Sequence, residues 1–369
     1  MSNAPISRSS YLNRNVGDYP ADMVIGNLTY KKVDDLRYGT NPHQTAAFYK
    51  PEGLSCPVGD MVILKNGKSG LSQTNLEDIS YALNIVKFFD HPACAVMKHV
   101  NPSGVGFKAT AKDAYIAARD ADPRAAFGST VCFNVEVDEA AAKEIMTSFV
   151  ECVVAPKVSA AALAVFNDPD AKMNKAVRVL QCGDIKQLPR FTGEAQPHHA
   201  TYKTLADGSI VVADPLTTAL RSVDQLRPAS GESKALGTVT SAHTASEQQK
   251  KDLLAAWYIN LNVRSNGVVL VKNGVTISVG TGEQDRVGAI EQAIEKFKVK
   301  YEGDEDIQGS VMASDGFFPF ADGVEVAAKA GVTAIISPAG SLKDADVVAR
   351  ANELGVALYH APERIFSHH

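Results

Sequence analysis

Cysteine is sparse in this sequence, and the five that occur, at 56, 94, 132, 152 and 182, form no CxxC pair. An odd number at wide spacing is not a disulfide framework, and the lack of paired thiols removes the simplest zinc site. Several lie in apolar, strand-like runs such as "STVCFN" and "ECVVAP", the pattern of reduced, buried thiols in a cytoplasmic protein. Long apolar runs are missing too. None approaches the ~20 residues that span a bilayer, and the opening "MSNAPISRSSYLNRNV" has no apolar centre of a secretory signal. A membrane role is therefore not expected. Nor is there a basic excess: a formal charge of -5 and a pI near 6.0 argue against a dedicated nucleic-acid binder.

What is present is material for a large core. A chain of 369 residues suggests two domains, taking roughly 150 residues for each. Short apolar runs alternate with longer periodic ones. "ACAVMKH" (93–99) reads as a buried strand, "AKDAYIAARDA" (111–121) as a helix, and "GSTVCFN" (128–134) as a strand. "DEAAAKEIMTSFV" (138–150) reads as a helix and "CVVA" (152–155) as a strand. After a more polar connection at about 183–235, which includes an exposed hairpin, the pattern resumes with a long helix in "SEQQKKDLLAAWYINLNV" (246–263). The order of strands and helices points to an α/β fold, a mainly parallel or mixed sheet with helices on its faces, in two similar halves.

Four stretches hold residues suited to chemistry. In "AVMKHVNPSGVG" (95–106) an apolar run ends in Lys98 and His99, and Asn101-Pro102-Ser103-Gly104 turns the chain at once. Ligand sites in open α/β sheets gather beyond the carboxyl ends of strands. An imidazole there can move a proton, and a neighbouring lysine can stabilise developing negative charge. The plainer reading is a strand end with two solvated side chains. "LRYGTNPHQ" (36–44) offers the planar donor fork of Arg37 for a phosphate and the ring of Tyr38, or is merely a polar surface turn. In "VRSNGVVLVKNGVTISVGTGEQDRV" (263–287), Asn266 opens a strand, and "GTGEQDR" places close glycines before a helix without matching a dinucleotide or P-loop fingerprint. In "ASDGFFPFADGVE" (313–325), Phe317, Phe318 and Phe320 around Pro319 cannot all face one core. They make an aromatic wall for a flat ligand, or a plug beneath a helix capped by Asp322. The closing "PERIFSHH" follows a buried-looking strand and should be docked, with Arg364 as a second phosphate candidate.

In this order the segments closely resemble one family. "LRYGTNPHQ", "KHVNPSG", "DPRAAFG", "VVAP", "RSN", "GTGEQDRV", "SDGFFPFADG", "SPAGS" and "RIFSHH" are similar to the aminoimidazolecarboxamide ribonucleotide (AICAR) transformylase part of bifunctional purine-biosynthesis proteins, from about residue 34 to 369. The resemblance implies two cytidine-deaminase-like three-layer subdomains with mixed sheets and no zinc, divided here as an arm at 1–28 and subdomains at 29–200 and 201–369. It implies formyl transfer from 10-formyltetrahydrofolate to the 5-amino group of AICAR. Lys98, His99 and Asn266 would be catalytic. Arg37, Tyr38 and Arg364 would clamp the nucleotide phosphate, Glu151 would meet the ribose, and Gly128 and Phe317 would border the carboxamide and base. Arg124, Val287, Pro319 and Asp322 would frame the folate.

The same resemblance implies a homodimer with sites between subunits and, in some members, a structural monovalent cation. The bifunctional relatives carry an N-terminal cyclohydrolase domain that the ~30 residues before the match cannot hold. A separate inosine monophosphate cyclohydrolase is therefore expected. Two other readings of the same architecture are a deaminase-like hydrolase, which needs zinc, and a non-catalytic nucleotide or folate sensor.

Overall fold

Two helices of equal length set the plan. Each starts at a serine that caps it: the Ser72 hydroxyl accepts from the Asn75 N–H, and Ser246 from the Gln249 N–H. The capping residue's own N–H is taken by the third helical side chain in both, so two otherwise unpaired donors are satisfied at each start. These leading helices, Gln73–Val86 and Glu247–Asn260, each precede a two-stranded hairpin. The hairpins are Ala93–Lys98 with Asn101–Phe107 and Val268–Lys272 with Val275–Gly280. The computed structural model describes residues 14, 16–67, 69–171 and 175–369.

From there the halves repeat one connectivity. The first hairpin strand pairs antiparallel with Ser129–Phe133, which pairs in parallel with Val150–Ala155, and that strand with Arg178–Gln181. In the second half Val268–Lys272 pairs antiparallel with Val311–Ser314, followed in parallel by Ala334–Pro338 and Ala357–Ala361. An antiparallel edge strand closes each series, Val62–Lys65 in one and Arg227–Pro228 in the other. Both hairpins even slip register at the same place, between Val96 and Met97 and between Leu270 and Val271. All these strands join in one twelve-stranded mixed sheet, with Asn101–Phe107 beside Val275–Gly280 at the seam. The boundary expected at 200/201 falls in the connection between Arg178–Gln181 and Arg227–Pro228. Within the stretch expected as an arm, Asp22–Ile25 pairs with Leu28–Asp35 in a separate three-stranded sheet.

Strand alternation divides the core. Ala93, Ala95 and Met97 face one side and Cys94 and Val96 the other, as the two-residue period requires. On the first side the two leading helices share one cluster that joins Leu83 and Met97 to Trp257, Val269 and Ile336. On the other side the halves keep separate clusters, one under Ala111–Asp120, Glu139–Ile145 and Ala160–Phe166 and one under Arg286–Lys300, Asp322–Ala330 and Asp344–Glu353. Among the described residues no helix is long and apolar enough to cross a membrane.

Because the seam is antiparallel, the halves point in opposite directions. One edge of the sheet therefore gathers the Lys98–Asn101 turn and the amino ends of the first half's parallel strands with the carboxyl ends of the second half's. Lys98 and His99 stand at the carboxyl end of Ala93–Lys98, as expected. The neighbouring parallel strands of the first half present their amino ends beside them, since Lys98 returns alongside the start of Ser129–Phe133.

Candidate active site

Only His99 and Val100 separate the paired residues Lys98 and Asn101, so the hairpin turns on two residues. Both have positive φ, 54° and 62°. Two-residue hairpin turns of this kind favour Asn-Gly, and the second half supplies it in Asn273 and Gly274. A β-branched valine in that region costs about 1–3 kcal/mol, the kind of strain that collects at functional sites. The turn leaves His99 exposed, while the half-buried Lys98 is fixed: its Nζ donates to the carbonyls of Gly128 (2.7 Å) and Phe127 (3.4 Å). Gly128 has φ 72°, and a Cβ there would stand 3.2 Å from Nζ, so glycine lets the ammonium sit against the backbone. A cavity of about 290 Å³ opens beside the turn, lined by Lys98, His99, Asp122, Thr281, Lys296 and Lys300 among others.

Arg37 is buried, at 7% exposure, which the surface-turn reading did not anticipate. Its loop is tied down by the Arg37 N–H to the Leu71 carbonyl (2.8 Å) and by the Gln73 N–H to the Tyr38 carbonyl (3.1 Å). The guanidinium lies 4.6 Å from the centre of the Tyr38 ring, and its Nε has no hydrogen-bond partner among the described residues. Burial and the neighbouring Arg178 pull its pKa below the usual value, with Tyr38 and Glu151 opposing them. Glu151 belongs to the strand Val150–Ala155 rather than preceding it, and accepts from the Asn75 side chain at 3.1 Å. Arg37, Tyr38, Glu151, Lys98 and Gly128 thus form one neighbourhood at the start of the first leading helix.

The second half brings its residues to the same edge. The Asn266 backbone N–H and its Nδ2 both donate to the Glu283 carbonyl, at 3.1 and 3.0 Å. Asn101 links this segment to the Lys98–His99 turn, its Oδ1 accepting from the Arg264 N–H (3.0 Å) and the Thr281 hydroxyl (2.7 Å). The chain end is docked here as expected: the Ser265 N–H donates to the Ser367 carbonyl at 2.9 Å. Behind Asn266, Arg286 pairs with the fully buried Asp315, which also accepts from the Gly267 N–H at 2.9 Å. Arg286 and Arg364 flank the ring of Phe366, at 5.8 and 4.4 Å.

The three phenylalanines separate as their spacing required. Phe318 joins the second-half core, while Phe317 is partly exposed and Phe320 is 62% exposed. Pro319 lies between them, its carbonyl 3.5 Å from the Ser341 hydroxyl. The cap reading of Asp322 is corrected: Ala321 holds the N-cap position and Asp322 is the first helical residue, accepting from the Gly323 N–H. Val287 is half-buried in the first turn of Arg286–Lys300, and Arg124 is exposed in the short helix Pro123–Ala126. Lys98 and His99 share the cavity, but Asn266, Phe317, Pro319 and Asp322 are not among its walls. Among the described residues no group of three or more His, Cys, Asp or Glu gathers where it could hold a metal ion.

Asp78, Arg178 and Arg286 are three further buried charged residues beside these groups that sequence pattern did not single out. Asp78 is 5% exposed and takes the Val100 N–H at 2.7 Å. The signal for it was available, an aspartate among the apolar positions of a capped helix, recurring as Asp252 at the same place in the second leading helix.

Comparison with known proteins fits this arrangement. The model of the AICARFT/IMPCHase bienzyme family matches residues 6–296. The chain belongs to that family, a family of enzymes. The bifunctional purine biosynthesis protein PurH of Anaeromyxobacter sp. (strain K) is 38% identical over 354 residues, which cover 95% of this chain and 62% of that protein. PurH of Acetivibrio thermocellus is 36% identical over 363 residues, 98% of this chain and 64% of the relative. The chain thus spans under two thirds of the length of these curated relatives. Among solved structures, apo dCMP deaminase from the cyanophage S-TIM5 aligns with 31% of this chain and 98% of its own, at 21% identity and a TM-score of 0.22, too low to carry an argument.

Proposed function

We propose that this chain transfers the formyl group of 10-formyltetrahydrofolate to the 5-amino group of AICAR, giving formyl-AICAR and tetrahydrofolate, in purine biosynthesis in the cytoplasm. The observation that carries the reading is the strained turn that presents His99 beside a carbonyl-anchored Lys98, in a chain of the bienzyme family. The acceptor amine is a weak nucleophile because its lone pair is delocalised towards the carboxamide. Its nitrogen attacks the formyl carbon, His99 takes the amine proton, and the bond from that carbon to N10 breaks as N10 gains a proton delivered from Lys98. Lys98 also stabilises the oxyanion before collapse, and Asn266 holds the formyl oxygen or orients the imidazole. Arg37, Tyr38 and Arg364 clamp the phosphate, Glu151 meets the ribose, and Gly128 and Phe317 border the base. Arg124, Val287, Pro319 and Asp322 frame the folate.

In this reading each half of the sheet is a cytidine-deaminase-like subdomain, and the site closes between two copies in a homodimer. Such a site joins the Lys98 side to the Phe317 side, which is not among the walls of the cavity beside the turn. A structural monovalent cation is part of the same reading.

Purified protein given both substrates is expected to release tetrahydrofolate, followed by absorbance. Binding of both without turnover would instead indicate a sensor. His99→Ala is expected to lower kcat by roughly 10²–10⁴-fold, the usual worth of a general base, while AICAR affinity measured calorimetrically holds. Undiminished turnover in that variant removes the base assignment.

A further inference from the structure

The reactive pair rides on a turn that its own residues disfavour. His99 and Val100 fill the conformations that Asn273 and Gly274 (φ 50° and 81°) fill in the second half. In both halves the turn is gripped by a buried aspartate six residues into the leading helix. Asp252 accepts the N–H groups of Asn273 (2.9 Å) and Gly274 (3.0 Å), and Asp78 accepts that of Val100 (2.7 Å). We propose that Asp78 is a positioning residue whose hold on the Val100 N–H keeps Lys98 and His99 in reacting geometry. The proposal rests on the formyl-transfer reading above.

The contrast between the halves is what points to function. An Asn-Gly turn forms by its own preference, so Asp252 adds stability to a turn that would exist without it. A His-Val turn has no such preference and depends on its anchor. The aspartate also feels the site's charges through space. Burial raises its carboxyl to about 6, the Val100 N–H and the Lys98 ammonium pull it down, and Glu151 and Glu77 push it up again. A carboxylate at a position an apolar residue could fill is costly, which makes sense where it holds a working turn.

The test compares Asp78→Ala, the same change with Val100→Gly, and Asp252→Ala, reading kcat, KM for each substrate and Tm. Asp78→Ala is expected to lose roughly ten- to hundredfold in kcat, the scale of one hydrogen bond to a charged group, with KM for AICAR little changed. Adding Val100→Gly relieves the turn and is expected to restore most of that loss. Asp252→Ala is expected to lower Tm and leave kcat within about twofold, since its turn forms unaided. Wild-type kcat in Asp78→Ala, no rescue by Val100→Gly, or an equal kcat loss in Asp252→Ala would each overturn the proposal. Should Asp78→Ala not fold, Val100→Gly is expected to return folding and turnover together, and failure to do so counts against the anchor. A wild type without turnover overturns the formyl-transfer reading instead. The anchor is then read from the ring resonances of His99, which are expected to shift in Asp78→Ala but not in Asp252→Ala.

Discussion

A single buried charge away from the site shows how burial becomes pH dependence. Lys87, 7% exposed just after the first leading helix, donates to the Asn84 side chain and the Pro189 carbonyl. Burial lowers its pKa to about 7, with Glu194 opposing and Arg190 adding to the shift. The unfolded chain keeps the ordinary lysine value near ~10.4, so between these values it binds more protons than the folded chain. Stability therefore rises with pH above about 7, and the full cost of the buried ammonium is felt below it. In urea unfolding at about pH 6 and about pH 9, wild type is expected to gain on Lys87→Met as pH rises. A difference that stays constant would mean that the lysine titrates normally. Asp78 has the opposite sign: its raised pKa makes a contribution that is complete below the unfolded value of 3.8 and is lost by about 6.

At the scale of elements, glycine sets how near a helix can lie to its strand. Helix Ala111–Asp120 rests on Asn101–Phe107, and helix Arg286–Lys300 on Val275–Gly280. A Cβ at Gly106 would come within 2.3 Å of the Ala114 carbonyl oxygen, and one at Gly280 within 2.0 Å of that of Ala289. A helix carbonyl cannot swing aside as a side chain can. Gly106→Ala and Gly280→Ala are each expected to cost about 1–3 kcal/mol, the usual scale of overpacking, read as a lower urea midpoint. Unchanged midpoints would show that the helices shift freely over the sheet.

These elements also show what the sequence made legible. Helix 111–121 was expected within a residue of the observed Ala111–Asp120, because its apolar period is regular and Thr110 caps it. Lys98 and His99 stood out because a cation and an imidazole ending an apolar run have few packing explanations. The short edge strands Val62–Lys65 and Arg227–Pro228 carried no such signal, being half or fully exposed on their visible faces. The burial of Arg37 was hidden because "YGTNP" reads as surface turn chemistry and the contacts that cover it come from distant segments. Asp78 was hidden because a periodic pattern counts apolar positions and passes over a buried acid among them.

For the whole molecule the decisive feature is the unequal treatment of the two sheet faces. Periodicity predicted two similar halves, but it could not say that Asn101–Phe107 would lie against Val275–Gly280, or that the leading helices would share one cluster. Were the halves separated, Leu83 and Met97 would lose a core that also holds Trp257, Val269 and Ile336. That much apolar surface is too costly for either half to expose alone. The chain is therefore expected to unfold as one unit. Trp257, the one tryptophan, is fully buried in the shared cluster with its Nε1 donating to the Thr218 hydroxyl at 3.0 Å, so its fluorescence reports the second half and the junction. Far-UV circular dichroism reports both halves. Urea curves from the two probes should coincide, and AICAR, held mainly by first-half residues in the proposed site, should move both curves together. Curves that separate, or a nucleotide that shifts one and leaves the other, would show two independently stable domains meeting only at the seam.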